Sequence, residues 1–344
     1  MTRQTRLSAC AILITFGVII GVSMQDGLSA GGPQDKEIGS TALLLPATVR
    51  APADNPTTPQ KVDLGKKLFF DTRLSGDNTK SCASCHLPDK AFTDGLPRAR
   101  GAGAIQLRNT PTLINVGFYT SYFWDGRATS LEEQALAPIQ SPAEMNQNID
   151  ELEKELNKTA GYRAQFQAVF GSPATKANIA RALAAFQRTL ISRNSPFDRF
   201  LAGDSSALSE EASHGWELFK GAAGCIRCHN GPNLSDGKFY RLGTSFTDQG
   251  RGAVTGQKRL AFAFRTPGLR DVARTAPYMH DGSFETLSKV VEFYYRGVPT
   301  QSLDGLPLDV EPLLSQSYSE ISALVAFLEA LTGEPILITA PALP

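Results

Sequence analysis

Two short stretches, Cys82-Ala83-Ser84-Cys85-His86 and Cys225-Ile226-Arg227-Cys228-His229, constrain this chain more than anything else in it. A lone Cys-x-x-Cys can serve as a redox pair or half a zinc site. Two copies, each followed at once by His, form the pattern of covalent c-type haem attachment. Two thiols bond the porphyrin vinyl groups, and the adjacent His sets an imidazole under the iron. The pattern predicts two covalently bound haem c groups, with His86 and His229 as iron ligands. Of the five cysteines only Cys10 lies outside the motifs. Once the segment that holds Cys10 is removed, no thiol is left for the disulfides usual in a secreted protein.

The two motifs have related surroundings. Gly65-Lys66-Lys67-Leu68-Phe69 precedes the first and Gly215-Trp216-Glu217-Leu218-Phe219 the second; Phe92-Thr93-Asp94-Gly95 and Leu234-Ser235-Asp236-Gly237 follow them. This is an internal repeat of one haem-binding unit, a short amphipathic helix leading through a loop to the cysteines. Asp150 to Phe170 reads as one helix ending near Gly171. From Thr175 to Ser192, Ile179, Leu183, Phe186 and Leu190 form an apolar helical stripe. Pro196 and the run Gly203-Asp204-Ser205-Ser206 mark a linker, and Glu320 to Leu331 reads as a last helix stopped by Gly333. Strand-like alternation is scarce, and 344 residues suffice for two domains. The expected fold is mostly α, with two cytochrome c-like haem domains facing each other, over residues 31–200 and 201–344.

The N-terminus reads as an export signal over residues 1–30. Arg3 and Arg6 precede an apolar stretch from Ala9 to Met24, and small residues follow at Ser29-Ala30-Gly31. The stretch is shorter than the ~20 residues of a spanning helix. An uncleaved membrane anchor is the alternative, and the expected destination is the periplasm. Lys+Arg and Asp+Glu both total 34 with no long charged run, which gives no support to a nucleic-acid partner.

From Gly65 to about Gly333 the chain resembles the bacterial di-haem cytochrome c peroxidase / MauG family. The resemblance is carried by Leu68-Phe69-Phe70-Asp71-Thr72-Arg73-Leu74-Ser75, Arg108-Asn109-Thr110-Pro111-Thr112, Phe123-Trp124-Asp125-Gly126-Arg127 and Ala276-Pro277-Tyr278-Met279-His280-Asp281-Gly282-Ser283. It implies a haem peroxidase-type oxidoreductase that takes hydrogen peroxide at the first haem. Peroxide needs an open position on iron and a base that moves a proton between its oxygens. The family's catalytic Glu matches Glu144, in Pro142-Ala143-Glu144-Met145, and Gln134 and Pro138 match residues lining the same distal pocket. Trp124 matches an indole between the haems that relays electrons. The plainer readings are a loop-solvating Glu144 and a core Trp124. Asn109, Thr275 and Pro277 match positions holding one structural calcium, the last two through backbone carbonyls, and oxygen donors suit that ion. His280 reads as structural or as bonding a haem propionate, and His214 and Trp216 read as packing residues.

Departures within the family sharpen the expectation. The histidines are His86, His214, His229 and His280. None lies between Leu87 and Asn109, where peroxide-detoxifying members carry a His that blocks the first iron. The first haem should therefore be open, as in the MauG branch. Relatives supply a distal Met to the second haem, yet after the signal this chain has only Met145 and Met279. Leu287 to Arg296 reads as a helix with Tyr294 at the family's ligand position. Leu287, Val290, Val291 and Tyr294 share one face, and Tyr295 falls with Ser288 and Glu292 on a more polar one. A core tyrosine is the alternative; as a ligand, a phenolate would be a hard donor favouring ferric iron. MauG also carries a Trp two residues before its second cysteine pair, where this chain has Ala223.

The leading expectation is MauG-like use of peroxide to oxidise a protein partner, or a protein residue such as a Trp, through a His/Tyr haem. The alternatives are a cytochrome c peroxidase that detoxifies peroxide with a small redox-protein donor, and a non-catalytic di-haem electron-transfer cytochrome.

Overall fold

Short capped helices carry the fold, and most of them are announced by their first residues. In the computed structural model the described residues are 40–296, 308–309 and 318–344; the expected export signal lies outside them. Helix α1 (Pro59–Phe70) begins with Pro59 in its first turn and with the Thr58 hydroxyl accepting from Lys61 N at 3.3 Å. Ser130 caps α2 (Leu131–Gln140) ahead of Glu132 and Glu133, whose negative charge suits a helix N-terminus. The single helix expected over 150–170 is two, α3 (Ile149–Lys158) and α4 (Ala160–Phe170). Thr159 adopts an extended conformation between them (φ −73°, ψ 109°), a break that apolar spacing does not reveal.

The next helix, α5 (Lys176–Gln187), has Thr175 as its cap and buries Ile179, Leu183 and Phe186, the expected stripe. Pro196 opens α6 (Pro196–Leu201), with Ser195 and Asp198 forming a reciprocal capping box. Phe197 behind it is fully buried, so Pro196 begins a packed helix, not a linker. Helix α7 (Glu210–Lys220) leads to the second motif. Strands β1 (Phe239–Arg241) and β2 (Ala263–Arg265) pair antiparallel with Tyr240 opposite Phe264, and α8 (Arg251–Thr255) lies between them in sequence. Helices α9 (Leu287–Arg296) and α10 (Tyr318–Glu329) complete the fold. The described residues are rich in helix and poor in sheet, as expected.

The repeat is visible in three dimensions. A Cβ on Gly65 of α1 would overlap the Ala182 carbonyl oxygen of α5, and a Cβ on Gly215 of α7 would overlap the Ala323 carbonyl oxygen of α10. Each half thus uses one glycine to let two helix backbones touch. Behind each crossing lies an aromatic core: Phe69, Phe92 and Phe186 in one cluster, Phe197, Trp216, Phe219 and Phe327 in the other. Phe69 and Phe186 centroids lie 5.1 Å apart, and Phe219 and Phe327 4.9 Å apart, spacings at which rings add attraction beyond burial. The cores also exchange segments. Leu43 belongs to the second cluster, and Ile336 and Ile338 pack against the first.

The correspondence extends beyond the haem motifs. Asn109 to Pro138 and Arg265 to Tyr294 run in step with no insertion. Both copies contain a 3₁₀ turn (Val116–Phe118, Val272–Arg274), an isolated β-bridge (Tyr122 with Ala128, Tyr278 with Phe284) and a helix of ten residues, α2 and α9.

Candidate active site

Each Cys-x-x-Cys-His motif folds as one 3₁₀ turn, over Cys82–Ser84 and Cys225–Arg227, and the amide of each following His bonds back to the first cysteine. His86 N donates to Cys82 O at 2.9 Å and His229 N to Cys225 O at 2.9 Å. The two imidazoles are held alike. His86 Nδ1 lies 2.9 Å from Phe92 O, and His229 Nδ1 lies 3.1 Å from Leu234 O. A carbonyl only accepts, so Nδ1 carries the hydrogen in both rings and Nε2 keeps its lone pair, the state an iron ligand requires. Burial lowers both imidazole pKa values and thereby favours the neutral ring. Burial also pushes the Cys82 and Cys225 thiols up to about 12. All four motif cysteines are unpaired. Two thiols and a neutral imidazole at each turn, arranged identically, fit a covalently held haem.

A cavity of about 440 Å³ opens at the first motif, lined by Cys82, Cys85 and His86. That volume is in the range of cofactor pockets, roughly 300–1,000 Å³. Trp124, Gln134, Pro138 and Glu144 line the same cavity. Gln134 and Pro138 project from α2 one turn apart, and Glu144 follows on the loop after the helix. That loop is tied at several points: Glu144 N donates to Ser141 O (3.0 Å), Met145 N to Pro138 O (3.1 Å), and Ala102 N to Glu144 O (2.7 Å). Met145 itself is buried. Glu144 is half-buried, so its carboxylate meets both the cavity and water, a setting suited to moving protons. The segment Ala99–Asn109 contributes Ala99, Gly101, Gln106, Leu107, Arg108 and Asn109 to the lining and no imidazole.

At the second motif, α9 spans Leu287–Arg296 as expected. The Tyr294 phenol lies near the Cys225 and Cys228 thiols. Burial first, then those thiols, hold its pKa well above the usual range. Its ring meets Phe293 edge-on at 5.5 Å. Tyr295 differs from expectation: it packs against the second apolar core. In the step-by-step correspondence of the two halves, Tyr294 on α9 is the counterpart of Pro138 on α2.

Between the motifs, Trp124 Nε1 donates to Asn109 O at 3.0 Å. Asn109 N donates to His280 O at 2.7 Å, which sets Asn109 against the turn that follows Thr275 and Pro277. Asn109 is buried, and its amide nitrogen donates to Leu96 O at 2.8 Å, which turns its carbonyl oxygen to other partners. Thr275 Oγ1 is occupied with Val272 O at 3.0 Å, leaving its backbone carbonyl as the donor available to a cation. Among the described residues no cluster of three His, Cys, Asp or Glu side chains could hold a metal ion; an ion here would depend on carbonyl oxygens. His280 is buried and stacked on Phe264 at 3.6 Å, and burial lowers its pKa to about 4. Trp216 is a core residue, whereas His214 on the same helix is exposed and packs against nothing central. Ala223 is buried.

Charges that motif reading did not single out join the two halves. Arg108 bonds Asp248 at 2.6 and 2.9 Å and Asp125 at 2.6 Å. Burial opposes this guanidinium's charge, and the two carboxylates more than offset that, raising its pKa. Arg251 Nη1 donates to the carbonyls of Asp125 and Gly126 at 3.1 and 2.8 Å. Arg108 and Asp125 fall in stretches that carry the resemblance, but their pairing with Asp248 was not legible, since Asp248 is remote along the chain.

Comparison with known proteins agrees with this geometry. Residues 59–206 match the family model for di-haem cytochrome c peroxidase. The methylamine utilization protein MauG of Methylorubrum extorquens is 44% identical over 305 residues, covering 87% of this chain and 86% of that protein. The cytochrome c551 peroxidase of Nitrosomonas europaea is 38% identical, with 83% and 85% covered. Among solved structures, a MauG-like protein associated with microbial copper homeostasis superposes with a TM-score of 0.77 at 33% identity, covering 84% of this chain and 95% of that one. The paired haem-binding turns, the cavity at the first of them and these similarities together establish that the chain belongs to the di-haem cytochrome c peroxidase family, whose members are peroxidase-type oxidoreductases.

Proposed function

We propose that this chain is an exported, MauG-like di-haem peroxidase that uses hydrogen peroxide to oxidise a protein. Residues 1–30 direct it to the periplasm, and residues 31–200 and 201–344 form two facing cytochrome c-like domains. Cys82, Cys85 and His86 hold one haem c; Cys225, Cys228 and His229 hold the other. When bound, the haems supply the one-electron chemistry and the iron at which peroxide is taken up.

The observation that carries this reading is the pairing of Pro138 with Tyr294 at equivalent positions of α2 and α9. A prolyl ring has no lone pair to offer an iron, so Pro138 would leave room for peroxide beside a haem held by Cys82, Cys85 and His86. The Tyr294 phenol in the corresponding place would supply an oxygen ligand to a haem held by Cys225, Cys228 and His229. The cavity lining agrees, because the loop that could carry a blocking His presents none.

Within the first site Glu144 takes a proton from the near oxygen of peroxide and returns it to the far one. Gln134 orients the peroxide and Pro138 fills the pocket wall. Trp124, fixed through its indole nitrogen, carries electrons between the two haem sites. One calcium, held by the Asn109 side chain with the Thr275 and Pro277 carbonyls, pins the two halves together. Electrons come from a protein, either a residue to be modified or a small redox carrier. The buried Ala223 offers no oxidisable side chain at the exit used in MauG, so either electrons enter by another route or the reductant is not a MauG-type partner. The spectrum of the isolated ferric protein tests the asymmetry: one high-spin and one low-spin haem are expected, and two low-spin haems would contradict it.

A further inference from the structure

We infer that Arg265 is the counter-ion of a haem carboxylate at the first cavity, an inference that rests on the two-haem reading of the motifs. Arg265 ends β2 in the second half of the chain, yet it lines the cavity formed around His86. It is only 8% exposed.

Other arginines that are buried or half-buried have carboxylates. Arg270 holds Asp198 at 2.6 Å, Arg188 holds Glu132 at 2.9 Å, and Arg108 holds Asp248 at 2.6 Å. Arg265 has no carboxylate within 4.0 Å among the described residues. Its guanidinium reaches only neutral carbonyls, Thr266 O at 3.2 Å and Phe123 O at 3.4 Å, and lies 3.8 Å from the centre of the Tyr119 ring. The acidic side chains on that wall are already engaged, Asp125 by Arg108 and Arg127 and Asp248 by Arg108. A ring face attracts a cation but does not neutralise it.

Burying a cation without an opposite charge is unfavourable. A guanidinium also presents a fork of donors that matches a carboxylate better than it matches single carbonyls. The feature is specific to this half of the repeat. The residue equivalent to Arg265 is Asn109, whose amide nitrogen is satisfied by Leu96 O. Peroxide carries no charge to offset the guanidinium. A haem attached at Cys82 and Cys85 brings two propionates into the cavity that Arg265 lines, and one of them supplies the missing charge.

The test is a spectroelectrochemical titration of the holoprotein carrying Arg265→Gln and Arg265→Lys, with haem content read by mass. Loss of a positive charge next to a haem stabilises the ferric form. Arg265→Gln should therefore keep both haems and lower the potential of the first, leaving the second nearly unchanged. Arg265→Lys keeps a cation on a long stem and should return the potential toward wild type. The inference is overturned if Arg265→Gln carries both haems and titrates as wild type. It is equally overturned if the Lys and Gln variants shift together, which would make the effect one of packing. Wild-type protein lacking two haem additions would instead overturn the haem reading itself.

Discussion

Trp124 and His280 occupy the same place in the two copies of the repeat, and each accepts a bond across the molecule through its backbone carbonyl. Arg265 N donates to Trp124 O at 2.8 Å and Asn109 N to His280 O at 2.7 Å. The donors, Asn109 and Arg265, are equivalent to each other as well. The bonds form a reciprocal clasp in which equivalent backbone hydrogen bonds carry different side chains. One copy presents an indole, which can be oxidised; the other presents a neutral, buried imidazole. With the indole as the relay, Trp124→Phe should leave both haems attached and slow electron exchange between them, read by rapid-mixing spectroscopy. Exchange at the wild-type rate would remove Trp124 from the path.

The haem assignment has a direct mass readout. The exported protein should carry two haem additions. Cys82→Ala with Cys85→Ala should remove one and Cys225→Ala with Cys228→Ala the other, because each 3₁₀ turn supplies both thiols for its own haem. Either double variant retaining two haems would contradict the assignment.

Much of this was legible along the chain, for physical reasons that differ by element. The cysteine turns are local, so spacing alone reveals them. Helix α9 was readable because its apolar face and its length are set within ten residues. The break at Thr159 was not, since the residues on either side keep helical spacing and only the backbone departs from it. Pro196 read as a linker because its role depends on Phe197 docking beside Trp216, at 4.9 Å, far along the chain. The Pro138–Tyr294 equivalence was hidden because the two residues differ and lie far from the cysteine motifs that reveal the repeat; the matching turns and helices reveal it.

Tyr294 separates two arrangements of the second site. Tyr294→Phe removes one oxygen at nearly constant volume, so the fold should survive and the ferric spectrum of the second haem should change. Tyr295→Phe should leave that spectrum intact, because Tyr295 packs in the apolar core. The opposite pattern would move the ligand by one residue.

The helix crossings give a stability prediction independent of haem chemistry. Gly65→Ala places a methyl group into the Ala182 carbonyl oxygen, and neither backbone can give way without moving α1 from α5. Overpacking of this kind costs roughly 1–3 kcal/mol. Denaturant unfolding of the holoprotein should show a loss of at least the lower figure. Unchanged stability would mean that the two helices do not cross this closely.

The central claim is that the first site is open and carries its own base. Stopped-flow mixing of the ferric wild-type protein with hydrogen peroxide, without added reductant, tests it most directly. An immediate spectral change is expected. Glu144→Gln, which keeps the shape but cannot accept a proton, should slow that change by about 10²–10⁴-fold, the usual contribution of a general acid–base group. A ferric protein that is unaltered by peroxide until an electron is supplied would contradict the claim, because a ligand would then be blocking the His86 site.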